Sequence, residues 1–202
     1  MLVSALIAHT ADPIQSAVDY YRDVAAYSVR VKSTSNSKTE IMRYYFRKPG
    51  HVRMELVQPF GGAVLIYDPL KKRARLWPFG HQSFPSMMLN PDNQLIRSST
   101  GHRVDQSDVG FLFRNVQELQ QHGKTQVGET EQMNGKTAVH LTVEGDARIS
   151  VDHVHRYQLW LDQETGFPLK VTSSDLSNKL IETVEMDDIQ INPTFAPDFF
   201  LQ

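Results

Sequence analysis

The residues with the best spacing for chemistry are Asp152-His153-Val154-His155. On an extended strand, side chains two apart share a face. His153 and His155 would then lie side by side, close enough to share a metal ion, with His140 on a neighbouring strand as a third ligand. A solvated strand face that happens to carry two histidines explains the same spacing. No metal and no cofactor is therefore expected, and His140, His153 and His155 are only weak candidates. Other arrangements carry less. Asp187 and Asp188 are adjacent, so on a strand they point to opposite faces and make no acid–base pair. Gly61-Gly62 reads as a hairpin turn rather than a phosphate loop, and no serine lies in a nucleophile-elbow pattern. The cluster Lys71-Lys72-Arg73-Ala74-Arg75 could meet anionic lipid or an acidic partner, but charged turns also guard sheet edges. An enzyme is not the expectation.

Composition narrows the field further. The 202 residues include 21 basic and 23 acidic ones, a net charge of -2. That balance gives no electrostatic case for nucleic acid. Cysteine is absent. Disulfides, thiolate metal sites, cysteine nucleophiles and the lipid-accepting cysteine of a bacterial lipoprotein are thereby excluded, and the absence fits an oxidising compartment. Residues 1–11 are mildly apolar, lack a basic leader region, and are too short to span a bilayer. They are expected to be a flexible start, the first turns of a helix, or the remnant of a signal peptide. No other stretch approaches the ~20 apolar residues of a transmembrane segment. The length suits one domain over residues 1–202.

The elements follow from periodicity. Asp12-Pro13 starts a helix, with Ile14, Ala17, Val18, Tyr21, Val24 and Ala25 as its apolar stripe. The period then changes to two. Tyr27, Val29 and Val31 alternate with polar residues, and Ser33 to Lys38 reads as a loop. Met42, Tyr44 and Phe46 share a face, as do Val52, Met54 and Leu56 beyond the Pro49-Gly50 turn. Ala63 to Tyr67 and Ala74 to Trp77 are further strands. From Pro78 to Val109 no clean period survives, and a loop of that length in a compact domain is usually functional or mobile. A helix through Phe111, Phe113, Val116 and Leu119 ends at Gly123. Strands return around Val127, Ala138 to Val143, Val154 to Leu161, Pro168 to Thr172 and Leu180 to Met186. The fold class is therefore α+β: a single curved antiparallel sheet, two or three helices on one face, curling into an incomplete, half-open β-barrel.

Three places in the chain resemble the LolA/LolB-like superfamily of lipoprotein carriers. The first helix runs directly into Tyr27-Ser28-Val29-Arg30-Val31. The hairpin Phe46-Arg47-Lys48-Pro49-Gly50-His51-Val52-Arg53-Met54-Glu55 is followed by a Gly turn and Leu65-Ile66-Tyr67-Asp68-Pro69. Leu159-Trp160-Leu161-Asp162, Thr165-Gly166-Phe167-Pro168-Leu169 and the strand from Ile181 to Ile189 are similar to the family's C-terminal half. The resemblance implies a periplasmic protein of a Gram-negative cell envelope. Its half-barrel would hold acyl chains of a lipid or lipoprotein, with an envelope membrane protein as a further candidate partner. The ligand-binding wall would comprise Met42, Tyr44, Phe46, Val52, Met54, Leu56, Leu65, Trp77, Met87, Met88 and Trp160. In the family an arginine before the hairpin proline helps fasten the lid, and Lys48 holds that position here. Two rival readings go with the same fold: an envelope stress sensor acting through a partner, and a small cofactor-free or metal-dependent enzyme, for which His140, His153 and His155 would supply the metal.

Overall fold

A computed structural model describes residues 12–202; the expectations for residues 1–11 lie outside the described residues. Helix α1 (Pro13–Arg22) begins where Asp12 accepts the Ile14 N–H and Pro13 supplies a preset φ. The helix stops at Arg22, short of the apolar stripe. Val24 is buried beyond its end, and the Ala25 and Ala26 N–H groups both donate to Asn192 Oδ1. Strands β1 (Ala26–Ser35), β2 (Lys38–Arg47), β3 (His51–Gln58), β4 (Val64–Asp68), β5 (Arg73–Trp77) and β6 (Met87–Leu89) form one meander. Helix α2 (Val109–Gln121) follows, and β7 (Gly123–Met133), β8 (Lys136–Gly145), β9 (Arg156–Asp162), β10 (Pro168–Ser174) and β11 (Leu180–Ile191) form the second.

The two meanders make one sheet of 11 strands in the order β6-β5-β4-β3-β2-β1-β11-β10-β9-β8-β7. Every pairing is antiparallel. The join is β1 against β11, from Tyr27↔Ile191 to Thr34↔Thr183. The outermost strands β6 and β7 do not pair with each other. The sheet is the expected open half-barrel.

Boundaries differ from the sequence reading where turn chemistry decided them. The Ser33 to Lys38 loop shrinks to Asn36-Ser37, both at positive φ, because two such residues suffice to reverse a twisted hairpin. The irregular stretch contains the short strand β6 and two single turns of 3-10 helix, Gln94–Ile96 and Val104–Gln106. The C-terminal residues beyond Asn192 lie across the outer face. Phe199 packs on Tyr45 and under the Arg53 guanidinium, and Gln202 donates to the Ile66 and Arg73 carbonyls.

The core fills the closed end of the concave side. Tyr27 sits at its centre, stacked on Phe46 and Tyr44 and edge-on to Phe167. Helix α2 buries Phe113, Val116 and Leu119 on one stripe and packs on β7, β8 and α1. Helix α1 rests on the β9–β10 turn, where Gly166 has φ +64° and a Cβ would stand 2.7 Å from Ala17 Cα. Replacing Gly166 by Ala should therefore cost about 1–3 kcal/mol, combining left-handed backbone strain with the clash. The urea midpoint of the variant measures this, and an unchanged midpoint would contradict the close approach.

Candidate functional site

Alternation along the strands decides what faces the concave side. On β1 these are Tyr27, Val29, Val31 and Ser33; on β11 they are Met186, Val184 and Glu182. With β2, β3, β4, β9 and β10 they form a curved wall. The chain between Leu95 and Asn115 crosses over it. Between wall and crossover lies a cavity of about 290 Å³, at the small end of the ~300–1,000 Å³ of ligand pockets. Its lining is mostly apolar, with Leu112 and Val104 facing Met42, Met54 and Leu56.

The residues expected to hold a ligand divide. Met42, Tyr44, Met54, Leu56 and Leu65 line the cavity. Phe46 and Val52 are buried on the same face but deeper, in the core around Tyr27. Trp77 clusters with Val64 and Ile66 apart from the main core, and Trp160 with Ala138 and Leu169. Both tryptophans are on the convex side, because their strand parity is opposite to that of Leu65 and Leu159. Met87 pairs with Leu76 on the edge strand and Met88 is exposed; neither reaches the cavity.

The histidines do not converge. Asp152 and His153 both have positive φ in a turn, so the strand begins only at Arg156. His155 is buried with its Nδ1 2.6 Å from the Ile149 carbonyl, and His140 stacks on Trp160 on the convex side. Among the described residues no group of three metal-ligating side chains occurs. Lys48 Nζ donates to the Tyr21 and Arg22 carbonyls at 3.3 and 2.6 Å. Its charge meets the negative end of the helix, so Lys48 pins α1 to the β2–β3 hairpin.

Two polar groupings at the cavity escaped the sequence reading. The first is at the closed end. Asp108 caps α2 by accepting the Phe111 N–H and accepts from the Tyr21 hydroxyl, while the Val109 N–H donates to the Tyr27 hydroxyl and Tyr44 bonds Ser107. Burial pushes all three phenols well above their ordinary range, so they remain neutral. The second grouping is at the open end. Ser33 Oγ donates to Glu182 Oε1 at 2.5 Å, and Thr100 and His102 Nε2 approach Oε2 at 3.5 Å. Asp152 stands on the other side of the imidazole, 3.9 Å away. The carboxylate lies between serine and imidazole. That order ties the crossover to the sheet, and it is not the serine–histidine contact of an activated nucleophile.

The family model described as protein of unknown function (DUF1571) matches residues 19–201. The chain belongs to the DUF1571 family. No curated protein has a significantly similar sequence. Among solved structures, an uncharacterized conserved protein from Thermus thermophilus is 9% identical with a TM-score of 0.57, over 95% of this chain and 94% of that one. Mycobacterium tuberculosis lipoprotein LppX is 10% identical with a TM-score of 0.54, over 91% and 95%. The Pseudomonas aeruginosa MucA/MucB complex matches at 16% identity with a TM-score of 0.51; 92% of this DUF1571 chain aligns, spanning 60% of that one. At such identities the likeness concerns the fold, which is the one the superfamily resemblance implied. No helix among the described residues is long and apolar enough to cross a membrane.

The Glu182–His102 tie has a pH signature in this DUF1571 protein. Contact with Glu182 raises His102 above its ordinary 6.5, against the lowering effect of burial. Burial alone would raise Glu182, but the bonds from His102 and Ser33 outweigh it and hold it below 4.5. The histidine's contribution is complete below 6.5 and fades as pH rises through its raised value; the glutamate's is complete above 4.5 and fades in acid. The tie should thus stabilise most between 4.5 and 6.5. Urea midpoints followed from this range to higher pH should fall above 6.5 for the wild type, and His102→Gln should flatten that limb. An alkaline limb identical in both proteins would exclude the tie.

Proposed function

We propose that this protein binds the acyl chain of a lipid or lipoprotein in the cavity and holds it out of water, as a carrier in the periplasm of a Gram-negative envelope. The observation that carries the reading is a concave face left partly unfilled, lined by Met42, Met54 and Met186 among aliphatic side chains. An exposed chain costs about 0.8 kcal/mol per CH₂, so a hollow of this kind offers a real gain. Methionine adapts to chains of different shape and keeps the contact reversible. The small volume favours one chain over a bundle of several. LppX, which shares the fold, is described as a lipoprotein; the periplasmic placement also draws on the superfamily resemblance.

A second reading is a binding module that acts through a protein partner; the similar structure of MucB is a complex with MucA. It is favoured by edge strand β7, which is paired on one side only and largely exposed. Such an edge can take an added strand.

Delipidated protein should bind a fluorescent fatty-acid probe saturably, one per chain. Met54→Asp should weaken binding about tenfold or more, since the chain would have to desolvate a carboxylate. Because Met54→Asp also strains the fold, Met42→Trp, which fills the hollow with apolar volume, serves as the second variant and should weaken binding without loss of far-UV circular dichroism. Failure of the wild type to saturate, or equal affinity in all three proteins, would remove the proposal.

A further inference from the structure

The cavity opens at one end of the strands, and that end is unusual. The register puts the β1–β2 turn, the β3–β4 turn, the β5–β6 connection, the β8–β9 connection and the β10–β11 turn together there. Large apolar side chains protrude from it. Phe60, Phe79, Phe84 and Leu95 are 68%, 75%, 95% and 68% exposed, and Leu176 and Leu180 are about half exposed on the other meander. Phe60 and Leu95 also line the cavity, so outer surface and interior are continuous. The β3–β4 turn and the β5–β6 connection meet, with the Gly62 carbonyl 3.9 Å from where a Cβ of Gly80 would be. Their aromatic tips therefore belong to one patch.

The charge pattern says what covers it. From Leu56 to Tyr67 and from Leu76 to Pro91 there is no Asp, Glu, Lys or Arg, in a chain that is 22% charged. His81, within the second stretch, is pushed below its ordinary value mainly by burial and stays neutral near pH 7. An acidic or basic protein partner would find nothing to pair with on these tips. Beside them, Arg97 and Glu40 both line the cavity; Arg97 gives its Nε–H to the Asp92 carbonyl and is in no salt bridge among the described residues. Uncharged aromatic tips with a free guanidinium behind them complement an apolar layer beneath phosphate groups.

We infer that the open end docks on the phospholipid bilayer surface, with Phe60, Phe79 and Phe84 inserting among the lipids and Arg97 meeting a lipid phosphate. The inference rests on the acyl-chain reading of the cavity: a mouth pressed into the bilayer lets a chain pass between membrane and hollow without crossing water. The opposite end of the sheet supplies an internal control. Leu70, in the β4–β5 turn, is 80% exposed but stands among Lys71, Lys72 and Arg73.

The test is co-sedimentation of the full chain with vesicles of phosphatidylethanolamine and phosphatidylglycerol. Wild type and Leu70→Ser should bind alike. The triple variant Phe60→Ser, Phe79→Ser, Phe84→Ser should lose about tenfold or more in vesicle affinity, and Arg97→Gln should lose affinity by a smaller factor. The single variant Phe84→Ser, at the most exposed position, guards against misfolding of the triple and should show a partial loss. Docking is overturned if the wild type stays in the supernatant, if Leu70→Ser loses as much as the triple variant, or if the purified chain is a dimer that the triple variant splits. Binding of the fluorescent probe in the absence of vesicles reports on the cavity separately. Retained probe binding with no vesicle binding defeats docking alone; lost probe binding defeats the cavity reading.

Discussion

The pairing of β1 with β11 is the interaction on which the molecule depends. Each meander is built from neighbours in sequence, but this pair joins residues far apart in the chain, from Tyr27↔Ile191 to Thr34↔Thr183. It makes two sheets into one and so creates a concave side large enough to need a cover. Its outer edge carries Arg30–Asp187 at 2.9 Å and Lys32–Glu185 at 2.7 Å, half-exposed pairs worth about 0–1 kcal/mol each. The weight is on the inner side, where Tyr27, Val29 and Val31 join residues of both meanders in the core. The two strands also carry Ser33 and Glu182, so the same pairing assembles the polar rim of the cavity.

The cover is fastened differently at its two ends, and this bears on how the cavity can open. Helix α2 is held along its length by continuous apolar packing through Phe113, Val116 and Leu119, and at the closed end its Val109 N–H donates to the buried Tyr27 hydroxyl. At the open end, the contact made by Thr100 and His102 with Glu182 is polar, reaches 3.5 Å, and is partly exposed. Regions with few buried apolar contacts open at lower free energy than the core around them. A cover hinged on α2 and released at His102 therefore follows from where the apolar contacts are.

The fold was legible because alternation is hard to mistake. A strand whose residues alternate between core and solvent specifies its own face, and Met42, Tyr44, Met54 and Leu56 reach the cavity on that logic. Parity, not size, decides where the two tryptophans go. Trp77 is the cross-strand partner of Val64, and Trp160 of His140, so both belong to the other face. Glu182 could have been found by the same reasoning, since it is in phase with Val184 and Met186. A carboxylate at an inward position asks for a partner. That partner could not be read: His102 sits in an irregular stretch whose path is set by turns such as the Ser98–His102 loop, with no period to follow. The His153–His155 site failed for a related reason, as two consecutive residues at positive φ end the extended geometry that the spacing assumed.

Leaving the barrel unclosed is a constraint as much as a shape. A closed barrel of this many strands would have no edges to protect but would also have fixed walls. Here β6 has only three residues, short enough to offer little template for pairing, and β7 is long but bends at the register shift between Val127 and Thr130. The open seam lets the crossover from Leu95 to Asn115 enter the concave side and cover it in part with loops rather than strands. One irregular segment there presents Leu95 outward and brings His102 to Glu182 seven residues later, with no alternation to obey. The uncharged aromatic tips at the mouth, the apolar interior and the titratable tie between them are thus products of one topological choice, made where the sheet stops short of closing.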